Sequence, residues 1–132
     1  MEKCEIMSIQ SSADVVLVRQ AVRQIAIEVG FRLVDQTKVV TAASELARNT
    51  LDYGGGGTVT LETVQEGNRR GVRLTFADQG PGIPDINQAL KDGYTTGGGL
   101  GLGLSGAKRL VNDFEITSQV GTGTTITVTK WK

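Results

Sequence analysis

The feature that most constrains this chain is a glycine-rich stretch that runs directly into a helix-like pattern. Six of the twelve residues 95–106 are glycine, within the segment TTGGGLGLGLSGAKRLV. Glycine has no Cβ, so it reaches positive φ easily and lets the backbone lie against a ligand, but it raises the entropic cost of folding. The stretch therefore indicates a place where backbone meets ligand, and not an element selected for stability.

Composition limits the chemistry available at such a place. With 132 residues the chain is about the length of one ordinary domain, and we expect a single domain over residues 1–132. It has no histidine and one cysteine, Cys4, which excludes imidazole bases, histidine metal ligands, an internal disulfide and a cysteine-based zinc site. Carboxylates, amides, amines and hydroxyls remain for any reaction.

Charge argues against a polyanionic partner. Lys plus Arg and Asp plus Glu number 14 each, so no basic excess is available to neutralise nucleic acid or an acidic membrane surface. The N-terminal MEKCEIMSIQ has no secretory hydrophobic region, and no apolar run reaches the length of a membrane span. We expect a cytoplasmic protein that binds neither nucleic acid nor membranes.

Hydrophobic periodicity predicts two helices followed by a hairpin, a glycine-rich lid, a third helix and a last hairpin. The predicted elements begin with a strand over CEIMSI, a helix capped by Ser11, Ser12 or Asp14 and ended by Gly30, and a helix over residues 35–52. A hairpin of TVTLETV and GVRLTFAD follows, with its turn at 65–70, and then a short helix or lid segment in PDINQALKDG. The last elements are a helix over about 104–113 and a hairpin of FEITSQV and TTITVTKWK around GTG. This order predicts an α+β fold, with helices on one face of a mostly antiparallel, mixed sheet.

Three polar side chains stand out where these elements end. Glu45 and Asn49 are four residues apart on the second helix and therefore share a face, although such a pair is often plain solvated surface. Asp78 ends a strand before Gly80 and Gly82, where it could simply cap a turn. In combination, a carboxylate can accept from a purine amine, while glycine N–H groups at a helix start can bind phosphate.

Two familiar phosphate-binding motifs do not fit the glycine stretch. Gly101, Gly103 and Gly106 match G-x-G-x-x-G, but a dinucleotide fold needs an apolar strand before the first glycine and an acidic residue about 20 positions later, and GYTTGGGL and TTITV stand there instead. A P-loop needs Lys followed by Ser or Thr, whereas Lys108 is followed by Arg109. The context excludes both motifs.

In this order, the boxes ELARN, DQGPGIPD and GGGLGLGL resemble the GHKL ATPase superfamily of gyrase, Hsp90, MutL and histidine kinases. TAASELARN, ADQGPGIPDI, GLSGAKRLVNDF and TKWK resemble more narrowly the RsbT-type switch serine kinases, relatives of the SpoIIAB and RsbW anti-sigma factor kinases. The resemblance spans nearly the whole chain. It implies a Bergerat two-layer sandwich that binds ATP and Mg²⁺ and phosphorylates Ser or Thr of a STAS-domain partner.

The resemblance also implies a role for each matching residue. Asn49 corresponds to the Mg²⁺ ligand, Glu45 to the general base and Asp78 to the acceptor for the adenine amine, in a pocket shaped by Gly80 and Gly82. The other implied nucleotide-binding residues are Thr96, Gly97, Gly98, Gly99, Leu100, Gly101, Leu102, Gly103 and Thr124, with Thr125 as the alternative to Thr124. We expect the glycine segment to be a lid that becomes ordered when phosphates bind.

Two further features of the sequence are given no assigned role. Lys108 and Arg109, expected in the first turn of the third helix, are interpreted as solvated residues and only secondarily as phosphate neighbours. The segment RNTLDYGGGG has no histidine where many relatives carry one near the end of this helix, so no role for that histidine is assigned.

Three classes of function fit these expectations. The favoured one is a kinase of a stress-response, stressosome-like switch, which phosphorylates its STAS antagonist and is then released to act on a downstream phosphatase or sigma-pathway regulator. The second is a nucleotide-dependent anti-sigma module that sequesters a partner with little kinase activity. The third is a hydrolase or a histidine-kinase fragment, which the lack of histidine and of a second domain disfavours.

Overall fold

Three helices and five strands make up the part of the chain that the computed structural model describes, residues 3–83 and 100–132. The strands are β1 (Cys4–Ile9), β2 (Gly57–Glu66), β3 (Arg69–Asp78), β4 (Asp113–Gln119) and β5 (Gly123–Trp131), and the helices are α1 (Ser12–Val29), α2 (Leu33–Asp52) and α3 (Leu100–Leu110). The predicted order of elements is confirmed for these residues. The segment PDINQALKDG and the residues up to 99 lie outside the described part.

The first helix forms as its sequence predicts. The Ser11 side chain caps its N-terminus by accepting from the Asp14 backbone N–H at 3.3 Å, and Gly30 ends it with φ 98°. Its buried stripe faces the sheet and consists of Val15, Val18, Val22, Ile25, Ala26 and Val29. Capping and a 3.6-residue period together fix this helix and its orientation.

The sheet has the strand order β1-β2-β3-β5-β4, and all four pairs of neighbouring strands in the described residues are antiparallel. Helices α1 and α2 pack against each other and against the sheet, while α3 packs on α2. The predicted α+β fold is confirmed, and its sheet is antiparallel throughout the described pairs. No helix within residues 3–83 and 100–132 is long and apolar enough to cross a membrane.

Side chains on the helix-covered face of the sheet line up in rows across β3, β5 and β4. Two successive rows are apolar, Leu74–Val128–Phe114 and Phe76–Ile126–Ile116. The next row on the same face consists of Asp78, Thr124 and Ser118, which we call the polar row. The core therefore ends in hydroxyl and carboxylate groups at one end of the sheet, beneath the C-terminal half of α2.

The main differences between the predicted and the observed boundaries lie in α2, the first hairpin and α3. Helix α2 begins at Leu33, two residues before the predicted start. The prediction missed these residues because the side chains of Leu33 and Val34 are exposed and lie off the buried stripe. The first hairpin turn is shorter than predicted, since β2 continues to Glu66 and β3 starts at Arg69. Helix α3 covers Leu100–Leu110 rather than about 104–113, because tertiary packing overrides the low helix propensity of its glycines.

Candidate functional site

Asn49, Asp78 and Thr124 line one small cavity between the end of α2 and the polar row. The rest of its wall is formed by Thr50, Tyr53, Phe76, Ile83 and Ile126. The cavity has a volume of about 10 Å³, which is room for about one water molecule, so only the edge of a larger ligand could enter it. Three residues predicted from separate sequence boxes therefore lie together.

The Asp78 carboxylate lies at the last residue of β3, held by a turn and by glycine packing. Its Oδ1 accepts from the Gly80 backbone N–H at 2.9 Å. A Cβ at Gly54 would lie 2.5 Å from Asp78 Cγ, and one at Gly80 would lie 2.7 Å from Gly54 Cα. Only glycine at these two positions leaves room for the carboxylate, which fixes its place against the end of α2.

Thr124 stands directly opposite Asp78 in the β3–β5 pair. It is 5% exposed, and its hydroxyl lies 2.9 Å from Ser118 Oγ. Thr125 is exposed, since successive strand residues point to opposite faces. Strand geometry therefore selects Thr124 over Thr125 as the residue that faces the cavity.

Asn49 carries the most informative polar group of the cavity. Its Nδ2 is buried and has no hydrogen-bond partner among the described residues. An unsatisfied buried amide costs free energy, so in a native protein it calls for an explanation such as a ligand. Rotating the amide by 180° would put its oxygen at the same point, so the position can present either a donor or an acceptor.

Glu45 lies one turn before Asn49 on α2, and the structure does not place it in the same cavity. Its side chain is exposed and lines a groove of about 580 Å³ between α1 and α2, together with Val16, Arg19, Arg23 and other residues. Arg19 makes no hydrogen bond or ion pair within the described part of the chain, whereas Arg23 donates to Gln36 Oε1 at 3.3 Å. The carboxylate thus faces a solvent-accessible, partly basic surface.

The loop after Asp78 is tied to both sides of the cavity. Gly82 has φ 78°, and a Cβ there would lie 2.5 Å from the Gln119 carbonyl oxygen. The Tyr53 hydroxyl donates to the Gly82 carbonyl at 2.9 Å, and the Ile83 N–H donates to Ser118 Oγ at 2.7 Å. Gly82 therefore allows a close approach of loop and sheet that another residue would prevent.

Sequence reasoning missed Tyr53 and Ser118. A signal existed for Tyr53, because it lies four residues after Asn49 and so shares its helix face. Ser118 could be found only from the exact register of the last hairpin, in which it pairs with Thr124.

Only the C-terminal part of the glycine stretch lies within the described residues. Leu100, Gly101, Leu102 and Gly103 form the start of α3, whereas Thr96, Gly97, Gly98 and Gly99 lie outside the described residues. The first backbone N–H groups of a helix have no partners within it, which suits them to bind phosphate.

Lys108 and Arg109 lie in the last turn of α3, so their predicted place in the first turn was wrong. The helix begins four residues earlier than predicted, which moves them to its opposite end. Both are exposed, as expected, and cations there complement the negative end of the helix dipole.

Comparison with known proteins assigns this arrangement to a family. The family described as "Histidine kinase-, DNA gyrase B-, and HSP90-like ATPase" matches residues 34–132. The chain belongs to this family. The resemblance to GHKL ATPases is thereby confirmed, and membership of the GHKL family implies that ATP is bound.

Two relatives indicate which kinds of GHKL protein this chain resembles. The chain is 46% identical over 123 residues to the Serine/threonine-protein kinase RsbT of Bacillus subtilis, covering 93% of this chain and 92% of that protein. It is 34% identical over 101 residues to an Anti-sigma F factor of Bacillus licheniformis, covering 71% and 68% respectively. The similarity to the kinase confirms the prediction of an enzyme of the serine/threonine-protein kinase class.

Solved structures of GHKL relatives support the fold alone. A Mycobacterium tuberculosis structure of RsbU and RsbW domains aligns with a TM-score of 0.67 at 21% identity, over 100% of this chain and 33% of that one. The mycobacterial sensor histidine kinase MprB aligns with a TM-score of 0.58 at 17% identity, over 98% and 97%. Both agree with the observed packing of helices on one antiparallel sheet.

Proposed function

We propose that this chain is a single-domain protein serine/threonine kinase that uses Mg²⁺ and ATP to phosphorylate a STAS-domain antagonist in a partner-switching pathway. The observation that carries the proposal is the buried Asn49 Nδ2, which has no hydrogen-bond partner among the described residues and lies at one cavity with Asp78 and Thr124. A family that binds ATP and a relative named as a serine/threonine kinase support it.

The amine edge of the adenine points into the small cavity below α2. Asp78 accepts a hydrogen bond from the adenine amine through its second oxygen, since its first is engaged by the Gly80 N–H. Thr124 faces the same cavity from the paired strand. Gly80 and Gly82 give the loop its close approach, and Phe76 and Ile126 supply apolar contacts.

The phosphate end extends from Asn49 toward the glycine stretch. We assign phosphate contacts to the backbone of residues 96–103, whose last four begin α3, because the first N–H groups of a helix have no partner within that helix. Asn49 is the residue that would hold Mg²⁺, because an amide oxygen is a suitable ligand and the amide has no other described partner. Bound Mg²⁺ would neutralise charge on the phosphate oxygens. No group of three or more acidic or thiol side chains in the described residues could hold a metal, so phosphates and water would complete the coordination.

Glu45 acts as the general base on a hydroxyl that arrives from outside the cavity. The partner's Ser or Thr oxygen forms a bond to the γ-phosphorus while the bond to the β,γ-bridging oxygen breaks, ADP leaves, and the hydroxyl proton passes to the Glu45 carboxylate. The exposed position of Glu45 in the groove between α1 and α2 suits an acceptor supplied by a second protein. Most of the catalysis is then positioning and electrostatics.

Phosphorylation of the antagonist releases the kinase. The new phosphate carries nearly two negative charges and lies beside Glu45, so like-charge repulsion weakens the complex. The freed kinase then binds a downstream phosphatase or sigma-pathway regulator and acts on it by contact. We place this switch in the cytoplasm, within a stress response, with neither nucleic acid nor membrane as a partner.

A sequestering module is the second candidate function. The observation that favours it is the 34% identity to a protein named Anti-sigma F factor. In that case nucleotide sets the shape of the binding surface, and little phosphate is transferred.

The test mixes the protein with a STAS-domain protein encoded beside it, Mg²⁺ and ATP, and follows phosphoserine and complex size together. We expect phosphorylation followed by dissociation. Glu45→Ala should keep ATP affinity within a few fold and lower transfer by about 10²–10⁴, Asn49→Ala should lose the Mg²⁺-dependent part of binding, and Glu28→Ala, at an exposed α1 position, should change neither. A complex that persists after full phosphorylation contradicts the switch, and a stable complex without phosphorylation supports the sequestering module.

A further inference from the structure

Trp131 is fixed on the face of the sheet opposite the helices. Its neighbour Lys130 pairs with a carboxylate of α2, so Trp131 points to the other face, which we call the open face. The indole Nε1–H donates to Asp113 Oδ2 at 3.0 Å, and the backbone N–H donates to Asn112 Oδ1 at 2.8 Å. A Cβ at Gly71, its pairing partner on β3, would lie 2.8 Å from Trp131 Cε3. The ring therefore lies against a glycine and forms a fixed aromatic surface.

The open face already binds two guanidinium groups of the chain itself. The Arg69 Cζ lies 4.2 Å from the centroid of the Trp131 ring, and its Nη2 donates to Glu66 Oε1 at 2.8 Å. Arg73 donates to both carboxylate oxygens of Glu62, at 3.2 and 3.4 Å. An aromatic ring beside carboxylates attracts cations. The chemistry of this surface is therefore suited to arginine and lysine side chains.

Two further carboxylates on the open face have no cation beside them in residues 3–83 and 100–132. Asp113 accepts from the neutral indole. Glu115, two residues further along β4 on the same face, is exposed and makes no hydrogen bond or ion pair with the described residues. The charged groups around the ring are the carboxylates of Glu62, Glu66, Asp113 and Glu115 and the guanidinium groups of Arg69 and Arg73. This surface is therefore negative, although the whole chain has no net charge.

Trp131 and these carboxylates line a hollow of about 720 Å³. A site for a small molecule is mostly apolar, whereas this hollow is polar and open. Tryptophan and arginine are also the residues that dominate binding in protein interfaces. Glu45 lies on α2, in the layer on the other side of the sheet. A protein bound to the open face therefore leaves the groove beside Glu45 accessible.

We propose that the open face around Trp131 is a docking surface for a basic, arginine- or lysine-bearing segment of the downstream regulator. The proposal rests on the proposed function, in which this second partner is bound but not phosphorylated and so needs no access to Glu45. Cations of the segment pair with Asp113 and Glu115 beside the aromatic ring. The kinase then meets its two partners on opposite faces.

The experiment measures binding of the full chain to the phosphatase regulator encoded beside it, by calorimetry, and phosphorylation of the STAS-domain protein in parallel. Glu115→Gln removes one ion pair and should raise the Kd for the phosphatase about 3-fold, and Glu115→Lys adds repulsion and should raise it about 10-fold. Salt should weaken binding of the wild type more than that of Glu115→Gln. Glu5→Lys, the same charge change at an exposed position of β1, is the matched control and should leave the Kd within twofold. Phosphorylation should stay unchanged in these variants.

A second probe locates the contact. Trp131 is the only tryptophan in the sequence, so its emission reports binding beside it. Hexa-arginine should change this emission and compete with the phosphatase, whereas hexaglutamate should do neither.

Several outcomes would overturn the proposal. They are a wild type that does not bind the phosphatase, a Glu115→Lys variant that binds it within twofold of the wild type, and hexa-arginine that leaves the emission unchanged. Spermine that acts as strongly as hexa-arginine would assign the hollow to a small cation, and self-association that Glu115→Lys abolishes would assign it to a second copy of the chain. A wild type that binds the phosphatase but does not phosphorylate the STAS-domain protein would contradict the proposed kinase function and not the docking surface.

Discussion

The polar row and the row next to it, Phe76–Ile126–Ile116, lie on the same strands and on the same face of the sheet, yet they have different roles. We call the second of these the apolar row. Phe76 and Ile126 lie directly opposite each other and are almost fully buried, and two residues further along β3 the same geometry holds Asp78 opposite Thr124. Two residues of strand are about 7 Å. Within that distance the sheet changes from a surface that stabilises the fold to one that offers hydrogen bonds.

This difference shows where the fold can hold a buried polar group that has no hydrogen-bond partner in the protein. The buried Asn49 Nδ2, which has no hydrogen-bond partner within residues 3–83 and 100–132, would be costly in the middle of the core, but it lies above the end of the sheet, beside the small cavity. Substitutions in the two rows should therefore separate stability from binding.

The largest effect on stability should come from the apolar row. Phe76 is 1% exposed, and Phe76→Ala removes its packing and leaves a cavity, so we expect a loss of about 3–5 kcal/mol in the free energy of unfolding, measured with urea. Thr75→Ala, the neighbour on the opposite face of the sheet, is the control and should cost well under half as much. Equal losses for the two variants would contradict the conclusion that the apolar row stabilises the fold.

A smaller loss should follow from substitution in the loop that borders the polar row. Gly82→Ala forces an alanine to a positive φ and puts its Cβ against the Gln119 carbonyl, which should cost about 2–3 kcal/mol. Gly67 has φ 62° with nothing within 4 Å of a Cβ. Gly67→Ala therefore measures the cost of the positive φ alone, which should lower the free energy of unfolding by about 1 kcal/mol. Urea denaturation of both variants checks the difference, and Gly67→Ala as the more harmful change would contradict the packing argument.

The smallest change removes a single hydrogen bond. Tyr53→Phe deletes the hydroxyl that donates to the Gly82 carbonyl and should lower the free energy of unfolding by about 0.5–1.5 kcal/mol. Thermal unfolding checks this value. Since Tyr53 also lines the cavity, ATP affinity measured in parallel shows whether the loop is held for stability alone or also for binding.

The sequence predicts most of the fold because its local signals agree. In α1, the Ser11 cap, the Val15 to Val29 stripe and the Gly30 terminator all indicate the same helix, and the structure has it within a residue. The strands follow from alternating hydrophobicity in the same way. The start of α3 was predicted four residues late because glycine propensity opposes a helix that packing on α2 favours.

The candidate site was only partly predictable, because its geometry depends on pairing across strands. Asn49 and Asp78 belong to recognisable boxes, whereas the position of Ser118 depends on the hairpin register that sets it opposite Thr124. The roles assigned to these residues stay predictions. Glu45 and Asn49 also illustrate a limit of spacing: they are neighbours on α2, yet one faces a groove and the other the cavity.

The central claim is that the adenine amine binds at Asp78, at the small cavity beside the polar row, and calorimetry of Asp78→Asn tests it most directly. The account predicts that the wild type binds Mg²⁺-ATP more tightly than Mg²⁺-GTP, and that Asp78→Asn weakens ATP binding by about 1–3 kcal/mol, the cost of an unmatched hydrogen bond. Its urea midpoint should remain close to that of the wild type. Equal affinity for ATP and GTP, or an Asp78→Asn variant that binds ATP as the wild type does, would contradict the claim.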